Sequence, residues 1–173
     1  MEECTVRVAI TGTPGTGKTT AVKHLDTDFE VVHLNDVIRE RDFTTGHDDQ
    51  RDSLIADLDA VADWLGDYDD VVFESHLAHE FDADRVVVLR CAPEEIERRL
   101  DERGESPESA RENAESEALD VILGHAVQNH GEENVYEIET TDRTPEDVAA
   151  EIEAVISGAR QPSAGTVDYI EYL

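Results

Sequence analysis

The first residues able to do chemistry are Gly12-Thr13-Pro14-Gly15-Thr16-Gly17-Lys18-Thr19. They satisfy the pattern G-x-x-x-x-G-K-[ST] at every fixed position. Glycines at these places let backbone N–H groups curl around phosphate oxygens with no Cβ in the way. Lys18 can reach the β- and γ-phosphates of a nucleotide, and the Thr19 hydroxyl can ligate Mg²⁺. The flanks supply the context such a loop needs. Thr5 to Ile10 reads as a buried strand and Thr19 to Leu25 as a helix, whose N-terminus favours negative charge. The motif implies a nucleoside triphosphate, without saying what becomes of it.

Arginines narrow the reaction. Transfer of a phosphoryl group leaves the protein little covalent work; it must position the reactants and cancel charge. Guanidinium forks suit this because they stay ionised and bind two oxygens at once. Arg39 lies on the helix expected after the second strand, and Arg98, Arg99 and Arg103 crowd the end of a later helix. Each has a bland alternative, a surface ion pair, with so many carboxylates at hand. Glu74-Ser75-His76, at the end of the third expected strand, adds a carboxylate and an imidazole. A guanine-reading Asn-Lys-x-Asp element needs a late lysine, and none follows Lys23.

The composition is extreme: 43 acidic against 14 basic residues, a net charge of −29, with Lys18 and Lys23 the only lysines. Two readings compete, an acidic face for a basic partner and an adaptation to high salt, which screens self-repulsion. The even spread of Asp and Glu favours the second. Binding of naked nucleic acid is not expected of so acidic a chain. Cys4 and Cys91 form no C-x-x-C pair, so no thiolate zinc site is expected and a reduced, intracellular setting fits. No apolar run approaches the roughly 18 residues of a membrane helix. The expectation is a soluble, cytoplasmic protein.

The 173 residues suit one α/β domain. Strands are expected near 5–11, 29–33, 71–74, 85–89 and 134–138. Helices are expected after the loop to about 26, from Asn35 (a plausible cap) to about Arg41, and over 51–65, 93–103, 107–130 and 145–157. The polar stretch 42–49 reads as a loop. Apolar runs alternating with helices imply a parallel sheet covered on both faces. Gly158 to Leu173 is either a disordered tail or a segment docked by its aromatic end. His47, His79, His125 and His130 read as solvated or structural.

Four blocks resemble one family, the small atypical adenylate kinases that also serve in maturation of the small ribosomal subunit. They are the phosphate loop through Thr20; Val37-Ile38-Arg39-Glu40; Glu74-Ser75-His76; and Val88-Leu89-Arg90 with Glu97 to Gly104, Asn113 and Glu117. The resemblance implies a P-loop fold of the nucleoside monophosphate kinase type, with a parallel five-stranded sheet and a short lid. It implies a kinase domain over 1–158, with a monophosphate-binding segment near 35–56, a lid near 103–113 and a tail over 159–173. It implies ATP held by Gly15, Gly17, Lys18, Thr19, Thr20 and Arg103, and AMP or another monophosphate held by Arg39. Lys18, Glu74, His76 and Arg103 would be catalytic. Mg²⁺ would sit on the Thr19 hydroxyl and, through water, on Glu74. The family's motif is Asp-x-His where this chain has Glu74-Ser75-His76. The implied partners are small-subunit ribosomal protein eleven and the small subunit itself. Kinase and ATPase assembly factor stand as alternative functions.

Overall fold

The computed structural model describes residues 5–48 and 53–173. Their elements run β1 (Arg7–Thr11), α1 (Lys18–Lys23), β2 (Glu30–His33), α2 (Leu34–Glu40), β3 (Thr44–Asp48), β4 (Ser53–Ala56), α3 (Leu58–Leu65), β5 (Val71–Glu74), β6 (Arg85–Arg90), α4 (Pro93–Glu102), α5 (Pro107–Ala118), α6 (Val121–His130), β7 (Val135–Glu139) and α7 (Pro145–Ile156). Five strands pair in parallel in the order β2-β5-β1-β6-β7. Strand β1 is central, with Ala9 opposite Phe73 of β5 and Val86 of β6. From β1 the chain crosses to edge strand β2, returns through β5, then continues on the other side with β6. This reversal opens a crevice above the carboxyl ends of β1, β5 and β6, where open parallel sheets bind ligands.

Alternation along each strand sends side chains to two cores. Ala9, Phe73, Val86 and Val88 pack with Leu34 and Ile38 of α2, Val61 and Leu65 of α3, and Leu123 and Ala126 of α6. Val8, Ile10, Val87 and Leu89 face the other way, onto Ala21 and Val22 of α1 and Val148, Ile152 and Val155 of α7. Each fully buried aliphatic side chain contributes about 1.5–3 kcal/mol relative to exposure. Such cores hold the crevice floor rigid.

The structure departs from the expected elements in four places. Residues 42–49 are not all loop: β3 pairs antiparallel with β4, with a register shift between Thr44 and Gly46. The helix expected over 51–65 therefore starts at Leu58, capped by Asp57, whose carboxylate accepts the Ala60 N–H at 3.1 Å. Asn35 does not cap α2. The helix starts at Leu34 after His33, and the Asn35 side chain instead accepts the Ser75 hydroxyl at 2.9 Å. The expected helix 107–130 is two, because Asp120 takes a left-handed conformation at φ 55°. Asp tolerates that region better than most side chains, and its carboxylate lies 2.5 Å from Arg90.

Of the two alternatives for the last residues, docking holds. Ser163 donates its N–H to Val135 at 3.0 Å and Thr166 donates to Glu137 at 2.8 Å. The Tyr169 hydroxyl bonds Glu139, and that of Tyr172 bonds Glu97 at 2.8 Å. Among the described residues no helix is long and apolar enough to cross a membrane.

Candidate active site

The phosphate loop joins β1 to α1 at the crevice. Gly15 and Gly17 hold φ of 95° and 91°, where side chains with a Cβ are strained. A Cβ at Gly15 would also lie 3.3 Å from Ile96 and Leu100. Lys18 opens α1, and its ammonium donates to the carbonyls of Gly12 (2.9 Å) and Thr13 (3.1 Å). Burial lowers its pKa to about 8 against the opposing pull of Glu74 and Glu117, and Arg103 adds to the lowering. The charges of Glu74, Glu117 and Arg103 are thus all felt at the loop.

On the β5 side, the Thr19 hydroxyl donates to Oε1 of Glu74 at 3.1 Å. His33, at the end of β2, meets the same oxygen at 2.7 Å. Among the described residues no donor reaches Oε2 of Glu74. The hydroxyl and carboxylate oxygens of Thr19 and Glu74 make the hard donor set that a divalent cation such as Mg²⁺ prefers. His76 follows two residues on, partly buried. Burial first, then the charge of Lys18, then His79, lower its pKa to about 4. Its imidazole is neutral at pH 7.

On the other flank, Arg99 donates to the Gly15 carbonyl at 3.0 Å and to Glu95 at 3.2 Å. A cavity of about 240 Å³ opens beside it, lined by Thr16, Gly17, Thr20, Ala21, Arg99, Thr140, Arg143, Pro145 and Val148. Thr20 enters this cavity, while the Thr19 hydroxyl points to Glu74. Arg103 ends α4, exposed and with no ion pair among the described residues. Arg39 is exposed on α2, 2.6 Å from Asp36 and away from the loop's own contacts. Arg98 is a surface ion-pair residue, bonded to Glu95 and to Glu102 on the outer face of α4.

A buried network backs the loop. Glu117 of α5 accepts the Thr13 hydroxyl at 3.2 Å and the Cys91 N–H at 2.9 Å. Arg90, wholly buried, donates to Glu137 at 2.8 Å and to the Glu117 carbonyl at 3.1 Å. Its Nε lies 3.3 Å from the Glu117 carboxylate but is not aimed at it, and is the one buried side-chain donor left without a hydrogen bond among the described residues. Burial pushes the Glu117 carboxyl above its ordinary value, opposed chiefly by Arg90.

Comparison with known proteins fits this geometry. The AAA domain family matches residues 8–120. A Natronomonas pharaonis protein named "Putative adenylate kinase" is 58% identical over 168 residues, covering 97% of this chain and all of that one. The chain belongs to this adenylate kinase-like family. A Methanosarcina acetivorans protein of the same name is 38% identical over 95% of this chain and 97% of its own. The crystal structure of shikimate kinase from Bacteroides thetaiotaomicron superposes with a TM-score of 0.60 at 19% identity, over 88% of this chain and 98% of that one. At that identity the likeness speaks for the fold alone, a P-loop kinase fold.

Within this adenylate kinase-like frame, sequence reading missed Arg143 and gave His33, Thr13 and Glu117 no role of their own. His33 reaches Glu74 only because β2 lies beside β5, with His33 opposite Glu74. Glu117 stood in the fourth block of the resemblance, and it carried a further signal: a charged residue at i+3 and i+7 from the apolar face positions Ala114 and Ala110. His47's side chain and Cys4 and Arg51 lie outside what the structure describes.

Proposed function

We propose that the protein catalyses reversible transfer of the γ-phosphoryl group of ATP to AMP or a related nucleoside monophosphate, giving two diphosphates when the acceptor is AMP. The observation that carries this reading is the two-sided environment of the phosphate loop. One side offers an oxygen donor set and a neutral imidazole, and the other offers arginines beside a cavity fit for a base. In this reading Gly15, Gly17, Lys18, Thr19 and Thr20 cradle the triphosphate, and the base enters the cavity by Arg99. Thr19 directly and Glu74 through water would hold Mg²⁺, which would supply positive charge against the phosphates. Lys18 and Arg103 bear on the charge of the moving group, Arg103 from the short turn between α4 and α5. We assign 35–56 to the monophosphate, because α2 and the β3–β4 hairpin form the insert between β2 and β5 at the crevice, and Arg39 to its phosphate. Segment 103–113 is the lid, and closure of both excludes water.

The sequence resemblance supports a second activity, ATP hydrolysis coupled to late small-subunit maturation with small-subunit ribosomal protein eleven as partner. His76 favours it: a neutral ring beside Lys18 is suited to hold water. The setting in this reading is a cytoplasm of high salt, which the acidity fits. A coupled assay in high-salt buffer with Mg·ATP, with and without AMP, separates the activities. ADP formation dependent on AMP, with KM for AMP raised in Arg39→Ala, is the expected result. Phosphate release indifferent to AMP and lost in His76→Ala would instead make the protein an ATPase. Absence of ribosomal protein eleven from the protein purified under native conditions would remove the assembly role.

A further inference from the structure

The turn after His76 and the facing side of α6 hold polar side chains that the nucleotide site does not use. His79, 3% exposed, sits in a single 3-10 turn at Ala78–Glu80. Its Nδ1 lies 2.7 Å from the hydroxyl of buried Thr11. Its Nε2 faces a carboxylate oxygen of Glu80 at 3.4 Å. The ring of His125, exposed on α6, lies beside it with centroids 5.9 Å apart and planes 31° from parallel. One donor atom from each of His79, Glu80 and His125 falls within 4.8 Å of the others.

The geometry points to a transition-metal site of the zinc class on His79, Glu80 and His125, separate from the Mg²⁺-type oxygens of Thr19 and Glu74. Zinc bonds to imidazole and carboxylate are about 2.0–2.1 Å long, so neighbouring ligands of its tetrahedron stand about 3.4 Å apart. The His79–Glu80 pair already has that separation, and a rotation of exposed His125 completes the edge. Two nitrogens and one oxygen suit zinc over magnesium or calcium. A metal-binding histidine gives its other ring N–H to a fixed acceptor, which sets the tautomer. With an ion bound, Thr11 would be that acceptor: Nδ1–H would donate to its hydroxyl and the Nε2 lone pair would face the ion.

The site is also held together without an ion. The His79 carbonyl accepts His130 Nε2 at 2.8 Å and Asn129 Nδ2 at 3.1 Å, both from α6, the helix that supplies His125. A bare His79–Glu80 pair does not account for the placing of His125 beside it. The Glu80 side chain is 36% exposed, so an ion enters from solvent and water completes the fourth position. A bound ion would staple the His76 turn to α6, with Thr11 next to the first glycine of the phosphate loop.

The test uses tag-free protein titrated with Zn²⁺, and with Co²⁺ as a spectroscopic probe, in Mg²⁺-containing buffer without nucleotide. The expected result is one ion per chain, visible absorption of a four-coordinate Co²⁺ and a higher melting midpoint with Zn²⁺. Loss of an outer partner alone weakens metal sites about 10–100-fold. His125→Ala removes a direct ligand at an exposed, fold-tolerant position, so it should weaken binding by more than about 100-fold. Glu80→Gln should act in the same direction. His24→Ala, on the opposite face of the sheet, should leave binding unchanged. Unaltered affinity in His125→Ala and Glu80→Gln would overturn the site, since the ion would then be held by the diffuse acidic surface. So would failure of the wild type to bind one ion saturably.

Discussion

Lys18 gathers the electrostatics of the site into one titration. With its pKa lowered to about 8 by burial, it is charged below that pH and loses its proton above it. Phosphate oxygens favour the charged form, so binding of ATP takes up a proton as pH rises past about 8. ATP affinity should fall above that point, by at most about tenfold per pH unit. Calorimetry in buffers of different ionisation heat reads the uptake, and Lys18→Met should bind weakly with no such limb. His76 gives a prediction of stability. Its pKa lies near 4 in the folded protein against an ordinary 6.5. Between those values the unfolded chain binds more protons, so stability falls as pH drops through this window and is level above it. The loss is about 3 kcal/mol, and urea unfolding from pH 7 to 4 should show a flatter acid limb in His76→Gln.

At the scale of elements, Arg90 ties strand β6 to β7, to α5 and to the left-handed joint before α6. Removing one member of a buried ion network leaves the others uncompensated, at about 3–5 kcal/mol. Arg90→Met should lose that much in denaturant unfolding. The triple variant with Glu117→Gln and Glu137→Gln should lose less than the single one, because the partners no longer carry charge. The same network explains one feature that sequence reading missed, the break at Asp120. β1, the loop and α1 are legible because the motif fixes strand, turn and helix in one stretch. Glu74 and His76 are legible because they end an apolar run. The break at Asp120 is not, since no glycine or proline marks it and its cause, Arg90, lies 30 residues back. The β3–β4 hairpin was hidden because Leu54, Ile55 and Leu58 happen to share helical spacing. Asp57, three residues before the amide that it caps, was the available signal.

For the whole molecule, a charge of −29 on 173 residues means strong self-repulsion, relieved by salt. If screening in 3 M KCl restores about 3 kcal/mol, the melting midpoint should rise about 6–12 °C over that in 0.15 M KCl. A midpoint that falls or stays level would remove the high-salt reading of the composition. The two lysines have a consequence of another kind. A reagent that acylates neutral amines meets only two lysine side chains in the whole protein, exposed Lys23 and buried Lys18. Lys18 is partly deprotonated near pH 8 but held in a pocket that triphosphate would occupy, whereas Lys23 stays open whatever is bound. The ratio of label on the two side chains is then an internal gauge of how much of the protein carries nucleotide, with no substrate turnover needed to read it.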